Sequence, residues 1–99
     1  MKLEDIGDPA LIERVGRIVY AAYPPEEMDF AKWLNQCRAD EQGAYHLGIF
    51  ACDVLDERDI TEEQRSDLTR YSQLMALALD VVELHERALN ARNIPALME

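Results

Sequence analysis

The chain has few of the residue types that usually carry catalysis or disulfide bonds. It contains two cysteines, Cys37 and Cys52, and two histidines, His46 and His85, among 99 residues. Two cysteines are too few for a disulfide framework, and a chain of this length can build a core without one. The sequence therefore predicts two free, buried thiols.

The cysteines and histidines also lack the spacing of a metal site. They are spread over three predicted helices without a short Cys or His pair, whereas a zinc site needs such pairs because a tight loop has to bring its ligands together. The sequence also contains no glycine-rich phosphate loop and no nucleophile elbow. We predict no metal, no cofactor and no enzymatic activity.

Long apolar runs and an excess of basic residues are missing as well. No stretch approaches the roughly 20 apolar residues that a membrane span needs, and the chain is charged from its first residues, Met1 to Asp5. Ten Lys and Arg face 20 Asp and Glu, which gives a net charge of −10. Such a field repels nucleic acid phosphates and attracts basic proteins. We therefore expect a cytoplasmic protein with a basic protein partner, no direct nucleic acid binding and no membrane contact.

What the sequence does contain is helical periodicity. Its length and its 48% hydrophobic content indicate a single domain over residues 1–99. Apolar residues recur at spacings of three and four and never alternate, so the predicted fold is all-α, a compact bundle of about four helices. The predicted helices begin at Asp8-Pro9, with Asp8 as the cap and Pro9 in the first helical position, near Phe30, near Ala44 and at the Thr61–Gln64 capping box. They end at Tyr23-Pro24-Pro25, before Asp40, at Glu57 and at Asn93-Ile94-Pro95.

The fourth helix has more apolar residues than one stripe needs. Leu77, Leu79 and Leu84 lie off its main stripe. We expect that this segment is either deeply buried or forms a homodimer. A kink or break near Asp80 is an alternative for so long a helix.

Carboxylates are concentrated where the third helix meets the fourth. We call Asp53, Asp56, Glu57, Asp59 and Glu63 the acidic corner. Acidic residues in a first helical turn favour the helix dipole, but so many carboxylates exceed what helix ends can use. The acidic corner is therefore a predicted binding surface for a basic protein. Tyr45 and Tyr71 are predicted aromatic anchors beside it.

Two carboxylate pairs suggest a different function. Asp53 with Asp56, and Glu83 with Glu86, are three residues apart, which places each pair on one helical face. Magnesium-dependent all-helical nucleotide pyrophosphohydrolases require such pairs. No Lys or Arg cluster accompanies these pairs to hold phosphates, so this enzyme remains an alternative.

The middle of the chain resembles the Maf-type immunity proteins of polymorphic toxin systems. The resemblance covers about residues 40–77. Its residues are Asp40-Glu41-Gln42-Gly43-Ala44-Tyr45-His46-Leu47, Phe50, Asp53-Val54-Leu55, Glu57, Ile60-Thr61-Glu62-Glu63, Leu68 and Leu74-Met75. The chain departs from the family pattern at Ala44-Tyr45, where a second bulky apolar residue is usual, and in continuing past Met75 to Glu99. The resemblance implies a cytoplasmic protein that binds a toxin domain, often a nuclease, and neutralises it by occlusion.

The leading functional hypothesis is therefore an immunity or antitoxin-like inhibitor that binds a basic toxin through the acidic corner. One alternative is a phage-encoded inhibitor of the anti-CRISPR or anti-restriction type that mimics nucleic acid with its carboxylates. Another is a helical adaptor. The sequence leaves the oligomeric state open between a monomer and a homodimer.

Overall fold

Helices account for most of the chain. The structure is a computed structural model that describes the backbone of residues 1–98 and the side chains of residues 1–81, 87 and 88. A 3₁₀ turn at Leu3–Ile6 precedes four α-helices, α1 (Pro9–Ala22), α2 (Phe30–Ala39), α3 (Gly43–Glu57) and α4 (Glu62–Met98). No strand occurs within residues 1–98. The predicted all-α bundle of four helices is thus confirmed.

Three of the helices begin at side-chain caps that the sequence contains. Asp8 and Asp29 precede α1 and α2, and each carboxylate accepts a hydrogen bond from the amide three residues on, at 3.1 and 2.8 Å. At the start of α4, the Thr61 hydroxyl accepts from the Gln64 amide at 3.1 Å, and the Gln64 side chain accepts from the Thr61 amide at 3.0 Å. This reciprocal pair is the predicted capping box.

The start of α3 depends on a close backbone approach. A Cβ atom on Gly43 would lie 2.1 Å from the carbonyl oxygen of Cys37, so only glycine fits there. The amide of Gly43 donates to the carbonyl of Asp40 at 3.0 Å, and the amide of Ala44 donates to the carbonyl of Met1 at 3.1 Å. The segment before α1 therefore covers the N-terminal end of α3, which satisfies amides that a helix start leaves free.

The core lies where α1, α3 and α4 meet beneath the 3₁₀ turn. Its fully or nearly buried side chains are Leu3, Ile6, Leu11, Ile12, Val15, Val19, Leu34, Ala44, Leu47, Ala51, Val54, Leu68 and Tyr71. The absence of a side chain on Gly48 brings α3 close to α4, since a Cβ atom there would lie 2.7 Å from the Met75 sulfur. Two core residues, Leu3 and Ile6, come from the 3₁₀ turn, which the helical periodicity did not predict.

The fourth helix sets the length of the molecule. It continues for 37 residues without a break at Asp80 and runs through Asn93-Ile94-Pro95 to Met98. The break near Asp80, which the sequence left open as an alternative, does not occur, and the predicted end at Asn93-Ile94-Pro95 was wrong. Pro95 removes one helical hydrogen bond but stands close enough to the end for the helix to continue for three more residues. At about 1.5 Å per residue the helix is roughly 55 Å long, which is close to the longest dimension of the molecule, 58 Å.

Several side chains are less buried than the periodicity predicted. Phe50 and Leu77 are exposed, Leu79 is half-buried, and Cys52 is an exposed rather than a buried thiol. Leu84 lies outside the residues whose side chains are described. Deep burial is therefore wrong for Leu77, because this side chain lies on the side of α4 turned away from the stripe through Leu68, Tyr71 and Met75. Among the described residues, no helix combines the length and the apolar character that a membrane crossing requires.

Candidate functional site

The outward face of α3 carries both charged and apolar side chains. Ile49, Phe50, Asp53, Asp56 and Glu57 are all exposed. Their spacing places them on the side of the helix opposite its buried stripe. That stripe consists of Ala44, Leu47, Gly48, Ala51 and Val54. The five exposed residues form what we call the α3 outer face.

Two apolar side chains in the α3 outer face are open to solvent. Ile49 is 59% exposed and Phe50 is 43% exposed. The Phe50 ring lies against the Tyr23 ring, with the centroids 5.7 Å apart. Arg58 lies over the other ring of this pair, 5.2 Å from the Tyr23 centroid, and donates to the carbonyl of Ala22 at 3.3 Å. The contact with Tyr23, the residue that follows α1, thus restricts the Phe50 ring, which remains partly exposed to solvent.

The carboxylates of the α3 outer face are exposed and follow these apolar side chains toward the C-terminal end of α3. Asp53, Asp56 and Glu57 lie on the last two turns of α3, and Asp59 lies in the connection to α4. Among the described residues, none of these four carboxylates forms an ion pair within 4.0 Å. Their charges are therefore available to a ligand outside the chain.

One member of the acidic corner lies on a different flank. Glu63 is exposed and stands one helical turn before Asp67 on α4. Asp67 accepts from Arg14 of α1 at 3.2 Å, so this flank of α4 faces α1. The structure thus brings together the carboxylates of α3 and its connection, while Glu63 lies to the side of α1.

The structure does not bring either predicted tyrosine anchor to this surface. Tyr71 is fully buried, and its hydroxyl donates to the carbonyl of Ala44 at 2.7 Å. Burial raises the pKa of Tyr71 well above its usual range, and the nearby Cys37 thiol adds to the effect. The prediction that Tyr71 is a binding anchor was wrong, because its apolar ring fills the core between α3 and α4.

Tyr45 lies at the other end of α3 from the carboxylates. Eight residues separate it from Asp53, a rise of roughly 12 Å along the helix. It is half-buried and lines a surface cavity of about 440 Å³. The other lining residues are Met1, Asp5, Ala78 and Val81. Tyr45 is therefore a separate feature and not part of the α3 outer face.

The turn before α3 contains a pair of titratable side chains. Asp40 accepts from the amide of Gln42 at 3.0 Å, and its other oxygen lies 2.5 Å from Nδ1 of His46. Both contacts lower the pKa of the Asp40 carboxyl, the amide contact more than the imidazole. The opposite applies to Cys37, where burial and the charge of Asp40 raise the thiol pKa. These groups stabilise the turn and its surroundings.

The magnesium alternative rests on two carboxylate pairs, of which the structure describes one. Asp53 and Asp56 are exposed on α3, and the side chains of Glu83 and Glu86 lie outside the described residues. Within the side chains that are described, no three His, Cys, Asp or Glu residues are grouped so as to hold a metal ion. No geometry for a two-pair magnesium site can be built on these observations.

Ile49 and Phe50 are the functional candidates that sequence reasoning missed. Their positions could have been found from the helical wheel, because a stripe through Leu47, Ala51 and Val54 leaves position 49 on the opposite side. The exposure of Phe50 depends on how far α1 extends beside it, which the wheel does not contain. Comparisons of the chain with protein-family models, with curated proteins and with solved structures find no match.

Proposed function

We propose that the protein is an inhibitor of the immunity or antitoxin type that acts in the cytoplasm. In this proposal the α3 outer face binds a basic protein, a toxin domain, and covers that protein's substrate-binding surface. The observation that carries the proposal is the combination of exposed Ile49 and Phe50 with carboxylates that have no ion pair among the described residues. The resemblance to Maf-type immunity proteins supports it, since the same segment carries that resemblance.

The two kinds of side chain contribute differently to such binding. Carboxylates attract a basic surface over a distance and accelerate the encounter, whereas apolar side chains that become fully desolvated slow dissociation. Phe50 suits the second role because its contact with Tyr23 restricts the ring before binding. A rigid aromatic side chain loses little conformational freedom when a partner covers it. The α3 outer face therefore has both features of a protein-binding site.

The nucleic acid mimic is the alternative that uses the same carboxylates. A mimic needs negative charges spaced along a surface, and it gains nothing from exposed apolar side chains between them. Ile49 lies on the same face, one helical turn before Asp53, and its exposure therefore favours a partner with an apolar pocket beside its basic residues. Substitution of Ile49 separates the two functions experimentally.

Site-specific photocrosslinking in the native host tests where the partner binds. A photoreactive p-benzoylphenylalanine at position 49 should form a covalent product with one protein, identified by mass spectrometry. The same residue at position 13, an exposed site on α1, serves as the control. The purified partner should then lose its activity when this protein is added. Equal crosslinking from both positions, or an unaffected partner activity, would refute the proposal.

Charge reversal on α3 tests the electrostatic part with that purified partner. Replacing Asp53, Asp56 and Glu57 together by Lys should weaken binding by roughly 2–5 kcal/mol and mainly slow association. Wild-type association should also slow steeply between low salt and 0.15 M salt, where the screening length is about 8 Å. The matched control replaces by Lys three exposed glutamates elsewhere that form no ion pair among the described residues, Glu4, Glu26 and Glu27, and makes the same change in net charge. An equal loss in the control would show that net charge alone matters.

The apolar part is tested by Ile49→Ser. This side chain is exposed, so the fold should be unaffected, and the expected result is faster dissociation with nearly unchanged association. Surface plasmon resonance measures both rates. If Ile49→Ser binds like the wild type while the triple charge reversal does not, the mimic replaces the proposed function.

A further inference from the structure

The side of α4 turned away from the core presents a second apolar surface. Leu77 is 60% exposed and Val81 is 66% exposed. Leu74, three residues before Leu77, is half-buried, and Ala88, seven residues after Val81, is exposed. This surface lies toward the C-terminal half of α4, whereas the acidic corner lies where α4 begins.

The spacing along this surface is that of a coiled coil. The sequence places apolar residues at positions 74, 77, 81, 84, 88 and 91, with alternating steps of three and four. Steps of this kind repeat every 3.5 residues on average, and they form a seam that another helix can cover. These positions are distinct from the stripe that faces the protein's own core, which runs through Leu68, Tyr71 and Met75. The register thus favours a helix as the covering element.

We propose that a second copy of this chain covers the surface, with its α4 antiparallel to the first. The proposed register places Leu77 opposite Ala88 of the second copy and Val81 opposite position 84, which the sequence fills with Leu. Because the arrangement is two-fold symmetric, each of these contacts occurs twice. Large residues then face small ones, as close packing of two helices requires.

The charges beside the seam agree with this register. Asp80 and Arg87 are both exposed and flank the apolar positions on the same side of the helix. In the antiparallel register Asp80 faces Arg87 of the second copy, so that two opposite-charge pairs form across the interface. A parallel arrangement in the same seam would not bring these two residues opposite each other.

The net charge of the chain also favours the antiparallel arrangement. A parallel pair would place the two acidic corners side by side, whereas the antiparallel register separates the two copies of Glu63 by roughly 58 Å along the helices. That distance far exceeds the screening length of about 8 Å at physiological salt. Self-association is thus compatible with a charge of −10 per chain.

Disulfide trapping tests the register. The background chain carries Cys37→Ala and Cys52→Ser, and Leu77→Cys and Ala88→Cys are added singly and together. Only the double variant should form a covalent dimer under mild oxidation, because equal positions lie about 16 Å apart in the proposed register. A dimer from Leu77→Cys alone would indicate a parallel pair and overturn the proposal.

Sedimentation equilibrium tests the association itself. The wild type should be dimeric at high micromolar concentration, and Leu77→Asp should be monomeric with an unchanged helical spectrum. Asp80→Arg should raise the dimer dissociation constant by about tenfold, and the swap Asp80→Arg with Arg87→Asp should restore it. A wild type that stays monomeric throughout, or a swap that fails to restore the dimer, would refute the proposal.

Discussion

The two halves of α4 carry similar apolar side chains but meet different surroundings. In the first half, Leu68 and Tyr71 are fully buried against α1 and α3. In the second half, Leu77 and Val81 are largely exposed, because they lie on a side of α4 turned away from the core. The spacing of apolar residues therefore identifies the apolar faces of a helix, whereas the neighbouring elements decide which of these faces is buried within the chain.

Truncating one apolar side chain in each half of α4 should give the largest difference in the free energy of unfolding. Leu68→Ala should lower the free energy of unfolding by about 3 kcal/mol, because it removes apolar contacts and leaves a cavity in a fully buried place. Leu77→Ala should change it by less than about 0.5 kcal/mol at concentrations where the chain is monomeric. Urea unfolding followed by circular dichroism measures both. Equal costs would mean that the two halves do not differ in burial.

Tyr71→Phe examines the polar contact within the buried half. It removes the hydrogen bond to the carbonyl of Ala44 and should cost about 1.5 kcal/mol at neutral pH. Since burial raises the pKa of Tyr71, the folded state favours the neutral phenol. The wild type should therefore keep this contribution below about pH 10 and lose it progressively above.

The phenylalanine variant provides the control for that pH dependence. It should unfold at alkaline pH with a smaller slope, retaining a contribution from Cys37, whose thiol pKa is also raised by burial. Urea midpoints between pH 7 and pH 11 provide the measurement. An identical alkaline slope in both proteins would show that the Tyr71 hydroxyl is not the group responsible.

Thr61→Ala measures the contribution of the start of α4 and has the smallest expected effect among the substitutions in the buried half. The substitution removes the acceptor for the Gln64 amide and should cost about 1 kcal/mol. Thr61→Ser keeps the hydroxyl and serves as the control. An unchanged urea midpoint for the alanine variant would mean that this cap does not limit the stability of the buried half.

Much of the fold follows from signals in neighbouring residues. Asp8, Asp29 and the Thr61–Gln64 box mark helix starts because their side chains bond amides only three residues away. The concentration of carboxylates near the α3–α4 connection is likewise visible in the chain. Its members could be identified, but their division between two flanks could not, since Glu63 is separated from the others by the direction in which α4 leaves α3.

Other features depend on contacts between distant residues. The 3₁₀ turn supplies Leu3 and Ile6 to the core, although four residues are too few to show a period. Tyr71 looks like a binding anchor in sequence, since an aromatic side chain beside charges suits either a core or an interface. Tyr71 is buried because its ring packs between α3 and α4, where the carbonyl of Ala44 accepts a hydrogen bond from its hydroxyl. The exposure of Phe50 depends in the same way on the position of Tyr23, the residue that follows α1.

The sequence by itself determined that the chain is helical, where three of its helices begin and that its surface is acidic. These properties arise from hydrogen bonds over three or four residues and from the sum of charges. Only the tertiary structure decided which apolar residues are buried, that Glu63 lies apart from the carboxylates of α3 and that α4 extends beyond the other helices. The physical reason is that burial depends on the lengths and positions of all the helices together. The spacing of residues within one helix contains no information about these.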